Sequence, residues 1–238
     1  MGIVIGIAGA HRVGKSTLCK ELEGFGLGLY KYVSTDLTSV LEKHKTTAVE
    51  LQKRPINEFL AIQYDILNKI IETIKECRNR QGVFVVDRTP IDALAYLWSN
   101  FNATDFESLY YNRIDSEENI KKIYTAIDAY KKTAFEACQD ELAMIFLVQP
   151  GIEVVAEKGK ALPDTHYQDQ LNRFMLGDLH SVQEELTDAR KSRGYRWVKI
   201  MPRTLTDIQK RVLFVDKHFS SNMFEQMQRN SIFKISGE

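Results

Sequence analysis

Three runs of the chain are apolar at nearly every position: IVIGIA at 3–8, VFVV within 83–87, and MIFLV within 141–150. Runs of this length and β-branched content predict strands buried on both faces of a parallel sheet. Two mixed runs, LYKYV at 29–33 and RWVKI at 196–200, predict two more strands. Between them the apolar residues recur at helical spacing. Residues 15–23 predict a helix closed by Gly24, Gly26 and Gly28. Residues 37–53 predict a polar helix, broken at Pro55. Over 56–79, Ile56, Phe59, Leu60, Leu67, Ile70, Ile71 and Ile74 share one helix face. Pro90 opens the helix IDALAYLWSN at its first turn. Residues 101–140 carry no strand signal and read as aromatic, charged helices inserted into the core. Residues 151–168 read as an irregular lid, 169–191 as a long helix, 205–217 as a last helix, and 218–238 as a loosely ordered tail.

Strands alternating with helices predict an α/β fold, a parallel sheet with helices on both faces and a helical insertion, within one domain over 1–217. Ligands of such sheets bind at the carboxyl ends of the strands. Four polar clusters fall there: residues 9–17, Ser34 to Asp36, Asp87-Arg88, and Gln149-Pro150.

Composition narrows the classes. Lysine plus arginine and aspartate plus glutamate number 32 each, a balance that argues against a general DNA-coating protein. Cys19, Cys77 and Cys138 are widely separated, which excludes a CxxC zinc site and points to reduced thiols in a cytoplasmic protein. The apolar stretch at residues 3–8 is too short for a membrane span.

The segment Gly9-Ala10-His11-Arg12-Val13-Gly14-Lys15-Ser16-Thr17 satisfies GxxxxGK[ST] between a strand and a helix, as a phosphate-binding P-loop requires. In that reading residues 9–17 bind ATP. Lys15 reaches the β- and γ-phosphates, and Ser16 ligates Mg²⁺. His11 reads as a loop contact, because this loop works through its backbone. GTPase motifs NKxD and DxxG are missing, and no second acid follows the strand-end Asp87, so nothing marks a water-activating hydrolase. Phosphoryl transfer to a bound acceptor is the better reading. Asp87 can orient or deprotonate an acceptor hydroxyl or hold Mg²⁺, and Arg88 can clamp an acceptor phosphate. Asp36 is either an acceptor contact or a helix cap. Phe59, Gln63 and Tyr64 are candidate base contacts on the long helix. Lys158, Lys160 and Arg173 are candidates for a cation that covers the transfer.

GAHRVGKST, DRTPIDALAY, FLVQP and DTHYQDQLNRF together resemble P-loop nucleoside and nucleotide kinases. The likeness is to the ribosylnicotinamide-kinase-like group, which includes viral deoxynucleotide kinases. It covers most of residues 1–215, but not 101–140 or the tail. The resemblance implies a P-loop NTPase fold with a five-stranded parallel core, and ATP and Mg²⁺ as co-substrates. It carries phosphate and metal contacts onto Lys15 and Ser16, and acceptor contacts onto Asp87 and Arg88. The group usually has Arg after the lid glycine. Here Lys160 stands there, which cannot make the bidentate clamp, so Arg173 is its rival.

The expected function is ATP- and Mg²⁺-dependent phosphoryl transfer to a nucleoside monophosphate or nucleoside, with a deoxynucleoside monophosphate favoured. The alternatives are a kinase of a hydroxymethylated base in DNA and a non-enzymatic ATP-binding switch. The insertion helices offer a face for a homodimer or a partner, and nothing points to a membrane.

Overall fold

A computed structural model describes residues 2–51, 53–104, 117–151, 164–185 and 197–235. The described residues form five strands: β1 (Ile3–Ala8), β2 (Tyr30–Val33), β3 (Val83–Val86), β4 (Met144–Val148) and β5 (Val198–Met201). They form one all-parallel sheet in the order β2-β3-β1-β4-β5. In this register Gly6 of β1 lies opposite Val86 on one side and Ile145 on the other. The three central strands are the three fully apolar runs, because both of their faces are covered. The two mixed runs are the edges, where half of each strand meets water.

The helices are α1 (Lys15–Gly24), α2 (Thr38–Lys43), α3 (Ala48–Leu51), α4 (Ile56–Arg78), α5 (Pro90–Thr104), α6 (Glu117–Glu141), α7 (Thr165–Glu184) and α8 (Ile208–Ile235). One group, α1 with α8, packs against the sheet through Leu18, Leu22, Val212, Val215 and Phe219, with Phe214 edge-on to Phe146 of β4. The other group joins α4, α5, α6 and α7. Within it Ile123, Ile127, Tyr130, Ala134 and Cys138 of α6 belong to the same continuous core as the strands. The described part of the expected insertion is therefore packed into the body of the molecule.

Several element ends differ from expectation. The polar segment 37–53 is two short helices, interrupted where Lys45 turns to a left-handed backbone at φ 48. Helix α7 starts four residues earlier than position 169, because the Asp164 side chain caps it by accepting from the Tyr167 N–H at 3.0 Å. Helix α8 does not stop at 217 but runs to Ile235, since no Gly or Pro lies between 208 and 235 to end it. The expected loose tail is thus largely helix.

Candidate active site

The chain leaves β1 at Ala8 and must turn sharply to enter α1. Gly9 makes this turn with φ 152, and a Cβ there would sit 2.6 Å from the Val148 carbonyl oxygen of β4. Arg12 (φ 62) and Gly14 (φ 89) supply the further left-handed bends of the loop. Alternating bends of this kind turn successive N–H groups toward one point, an anion-binding arrangement. Gly14 precedes α1 directly. No side chain caps this helix end and no acid lies in its first turn, so its N–H groups and positive dipole end suit an anion.

Lys15 is buried. Its Nζ donates to the Gly9 carbonyl and, at 2.7 Å, to the Ala10 carbonyl, and lies 3.7 Å from Asp92 Oδ1. Burial pulls the ammonium down to about 8; Asp92 acts against this, and Arg88 adds to it. The ammonium is thus folded onto the loop by weak carbonyl partners that a phosphate oxygen can replace.

Asp92 is almost wholly buried, at 1% exposure, and all its bonds are local to this site. Its Oδ2 accepts from the Thr89 N–H at 2.9 Å and the Thr89 hydroxyl at 2.7 Å, while its own N–H donates to Thr89 Oγ1 at 3.3 Å. Thr89-Pro90-Ile91-Asp92 is therefore a capping box for α5, with Pro at the first helical position. The other oxygen, Oδ1, accepts from the Gly9 N–H at 3.1 Å. One carboxylate joins the start of the phosphate loop to the end of β3.

Asp87 follows β3 and faces the loop. Its Oδ2 accepts from the Ser16 hydroxyl and from the Tyr32 hydroxyl, each at 2.7 Å, while Oδ1 is buried without a partner. An alcohol and a carboxylate oxygen, one of them unsatisfied, are the hard donors that fit Mg²⁺, which retains much of its water shell and needs few protein ligands. Beside Asp87, burial works against the charge of Arg88, but Tyr96, Asp92 and Asp87 together hold the guanidinium above its ordinary value. Arg88 stays cationic, with Tyr96 beside it.

His11 is fixed through its backbone, its carbonyl accepting from Gln168 Nε2 of α7 at 2.9 Å, and its ring lies 5.4 Å from that of Tyr167. Burial, then Lys15, Arg12 and Arg88, lower its pKa and favour the neutral ring. Thr17 is exposed in the first turn of α1. The structure thus brings together Lys15, Ser16, Asp87 and Arg88 around the loop. Asp36 caps the turn into α2, its Oδ1 accepting from Thr38 N–H at 3.0 Å and Ser39 N–H at 3.3 Å. Phe59 and Gln63 are buried on α4. Tyr64 donates to the Ala126 carbonyl of α6 at 2.7 Å and stands edge-on to Tyr130. Gln149 donates to the Met201 carbonyl at 3.0 Å, tying the ends of β4 and β5. Arg173 is exposed on α7. Lys158 and Lys160, with most of 151–168, lie outside the described residues.

Four contributors escaped the sequence reading. The capping box at Thr89–Asp92 was legible as [ST]-x-x-[DE], although its reach to Gly9 was not. Tyr32, Gln168 and Arg211, whose Nη1 donates to the Val13 carbonyl at 2.7 Å, come from distant segments and carry no local signal.

Residues 5–102 match the family model described as an AAA domain. Over 143 residues the chain is 29% identical to the peroxisomal membrane protein PEX14 of Komagataella pastoris, covering 56% of this chain and 33% of that protein. The chain thus spans about a third of the length of that curated relative. Among solved structures, deoxyadenosine kinase from M. mycoides with bound dCTP superimposes at TM-score 0.58 and 14% identity, over 92% of this chain and 100% of that one. The same enzyme with bound dATP gives TM-score 0.58 at 16% identity, with the same coverage. Thymidylate kinase from Candida albicans gives TM-score 0.50 at 15% identity, over 93% and 92% of the two chains. At these identities the likeness is one of fold: an all-parallel five-stranded sheet with helices, as in these kinase structures. Among the described residues no helix is long and apolar enough to cross a membrane, and Cys19, Cys77 and Cys138 are free and buried.

Proposed function

We propose that this protein transfers the terminal phosphoryl group of ATP, with Mg²⁺, to a nucleoside monophosphate or nucleoside, with a deoxynucleoside monophosphate as the favoured acceptor. The observation that carries the reading is the Ser16–Asp87 contact at 2.7 Å, which sets an unpartnered carboxylate oxygen, Oδ1, beside the phosphate loop with the Arg88 cation next in sequence.

The residues divide the work as follows. The backbone N–H groups of residues 9–17 cradle the phosphates, and Lys15 exchanges its carbonyl partners for phosphate oxygens. Ser16 and Asp87 would hold Mg²⁺, which supplies charge neutralisation across the phosphates when bound. With a nucleoside acceptor, Asp87 takes the hydroxyl proton as the oxygen–phosphorus bond forms and the bond to the leaving ADP oxygen breaks. A monophosphate acceptor already offers an anionic oxygen. There Arg88 holds the acceptor phosphate, and no proton need move. Asp36, Phe59, Gln63 and Tyr64 remain the proposed acceptor contacts, and Lys160 or Arg173 the proposed covering cation. Buried, reduced thiols fit a cytoplasmic enzyme.

The test is ATP consumption by the purified protein with Mg²⁺ against nucleosides, nucleoside monophosphates and hydroxymethylated DNA, with Lys15→Ala as the blank. A small acceptor that raises turnover well above the water background supports the reading and names the substrate. Turnover with DNA alone, or ATP binding with no acceptor-dependent turnover, sinks it.

A further inference from the structure

Arg211 is at 0% exposure, among the largest fully buried side chains of the protein. It sits in the first turn of α8, 198 residues from the loop it touches. Nε donates to the Leu205 carbonyl at 2.6 Å and Nη1 to the Val13 carbonyl at 2.7 Å, while Nη2 is buried without a partner. No carboxylate pairs with it among the described residues. A buried guanidinium without a counter-charge is costly, and a tether between α8 and the loop needs no charge at all. The charge calls for a reason.

The geometry of the peptide unit supplies one. The Val13 carbonyl and the Gly14 N–H belong to a single planar trans peptide and point in opposite directions. With the carbonyl turned toward Arg211, the Gly14 N–H is turned away from it. Gly14 has φ 89 and stands immediately before Lys15, at the uncapped end of α1. A cation bonded to the carbonyl also draws electron density through the amide and makes its N–H a stronger donor.

We propose that Arg211 is a positioning residue of the nucleotide site: it fixes and polarises the Val13–Gly14 peptide so that the Gly14 N–H meets a phosphate of a nucleoside di- or triphosphate, whose negative charge offsets a guanidinium that has no counter-charge among the described residues. This deepens the proposed function and rests on the loop binding nucleotide. It makes α8 part of the phosphate site, although no side chain of that helix needs to touch ligand.

The test is calorimetric binding of ATP, inorganic tripolyphosphate and AMP to the full chain and to Arg211→Gln and Arg211→Lys. Gln keeps a donor for the carbonyl and loses the charge; Lys keeps the charge. The expected result is a loss of about tenfold or more in affinity for ATP and tripolyphosphate in R211Q, the size of a charge-assisted bond, with AMP changed far less. R211K is expected to recover most of that loss. Unchanged ATP affinity in a folded R211Q, or equal losses for ATP and AMP, overturns the inference while leaving the nucleotide reading intact. If R211Q does not fold, R211K decides: near-native ATP affinity supports the charge, and equal loss of ATP and AMP overturns it. Failure of the unaltered protein to bind ATP and tripolyphosphate removes the nucleotide reading, and the inference with it.

Discussion

Replacing Asp87 by Asn leaves an acceptor for the Ser16 and Tyr32 hydroxyls but removes the charge and the basic oxygen. Asp87→Asn is therefore expected to lower acceptor-dependent turnover by roughly 10²–10⁴-fold, read in a coupled ADP-release assay, with little change in melting temperature. Asp92 differs in kind, because its carboxylate is a structural joint. Asp92→Ala removes the carboxylate half of the capping box of α5 and leaves the Thr89 N–H, the Gly9 N–H and Lys15 short of a partner. It is expected to destabilise the protein by about 2–4 kcal/mol in urea denaturation, from the lost cap and the unsatisfied buried donors. A loss below about 0.5 kcal/mol would show that the joint does not matter. The loop, Asp87 and Arg88 were legible in sequence because a local rule governs them: a strand end, a fixed spacing and a helix start. Tyr32 and Arg211 were not, because only the completed sheet and the packing of α8 bring them to Asp87 and Val13.

At the scale of elements, the contact between α6 and α7 holds an unusual group. Burial lifts the Asp178 carboxyl of α7 to about 7, against the pull of Lys131 on α6, and its Oδ2 has no partner. In the unfolded chain an aspartate titrates near about 3.9. Between about pH 4 and 7 the folded state therefore binds more protons than the unfolded one, and stability falls as pH rises. Asp178→Asn removes that titration. The margin by which its melting temperature exceeds that of the unaltered protein is expected to be larger at pH 8 than at pH 5; equal margins at both would contradict the buried acid. The strands were legible because a fully buried strand must be apolar throughout. The ends of α7 and α8 were harder. Asp164 caps α7 before its apolar face begins, and the polar Ser220-Ser221-Asn222 after Phe219 resembles a stop although nothing there breaks a helix.

Across the whole molecule, sequence order and spatial order part company. Alternation of strands and helices predicts a parallel sheet, but not the arrangement β2-β3-β1-β4-β5, which places the first strand at the centre between the third and the fourth. That arrangement sets the phosphate loop between the ends of β3 and β4, where Asp87 and the Val148 carbonyl bound it. A ligand bound only by the folded state raises its stability by mass action. ATP at 100 times its Kd is expected to add about 2.7 kcal/mol, seen as a higher melting temperature with Mg²⁺, and to add nothing in Lys15→Ala. An equal rise in the variant would place nucleotide somewhere other than this loop.

The grip of Arg211 on Val13 also has a meaning in time. A ribosome adding roughly 5–20 residues per second needs about 10–40 seconds to proceed from Gly9 to Arg211. Until β4 is made the emerging loop lacks the strand against which Gly9 turns, and throughout the interval it lacks the guanidinium beneath Val13. The nascent chain is thus expected to bind nucleotide more weakly until α8 has been made, although the loop itself is made well before that helix.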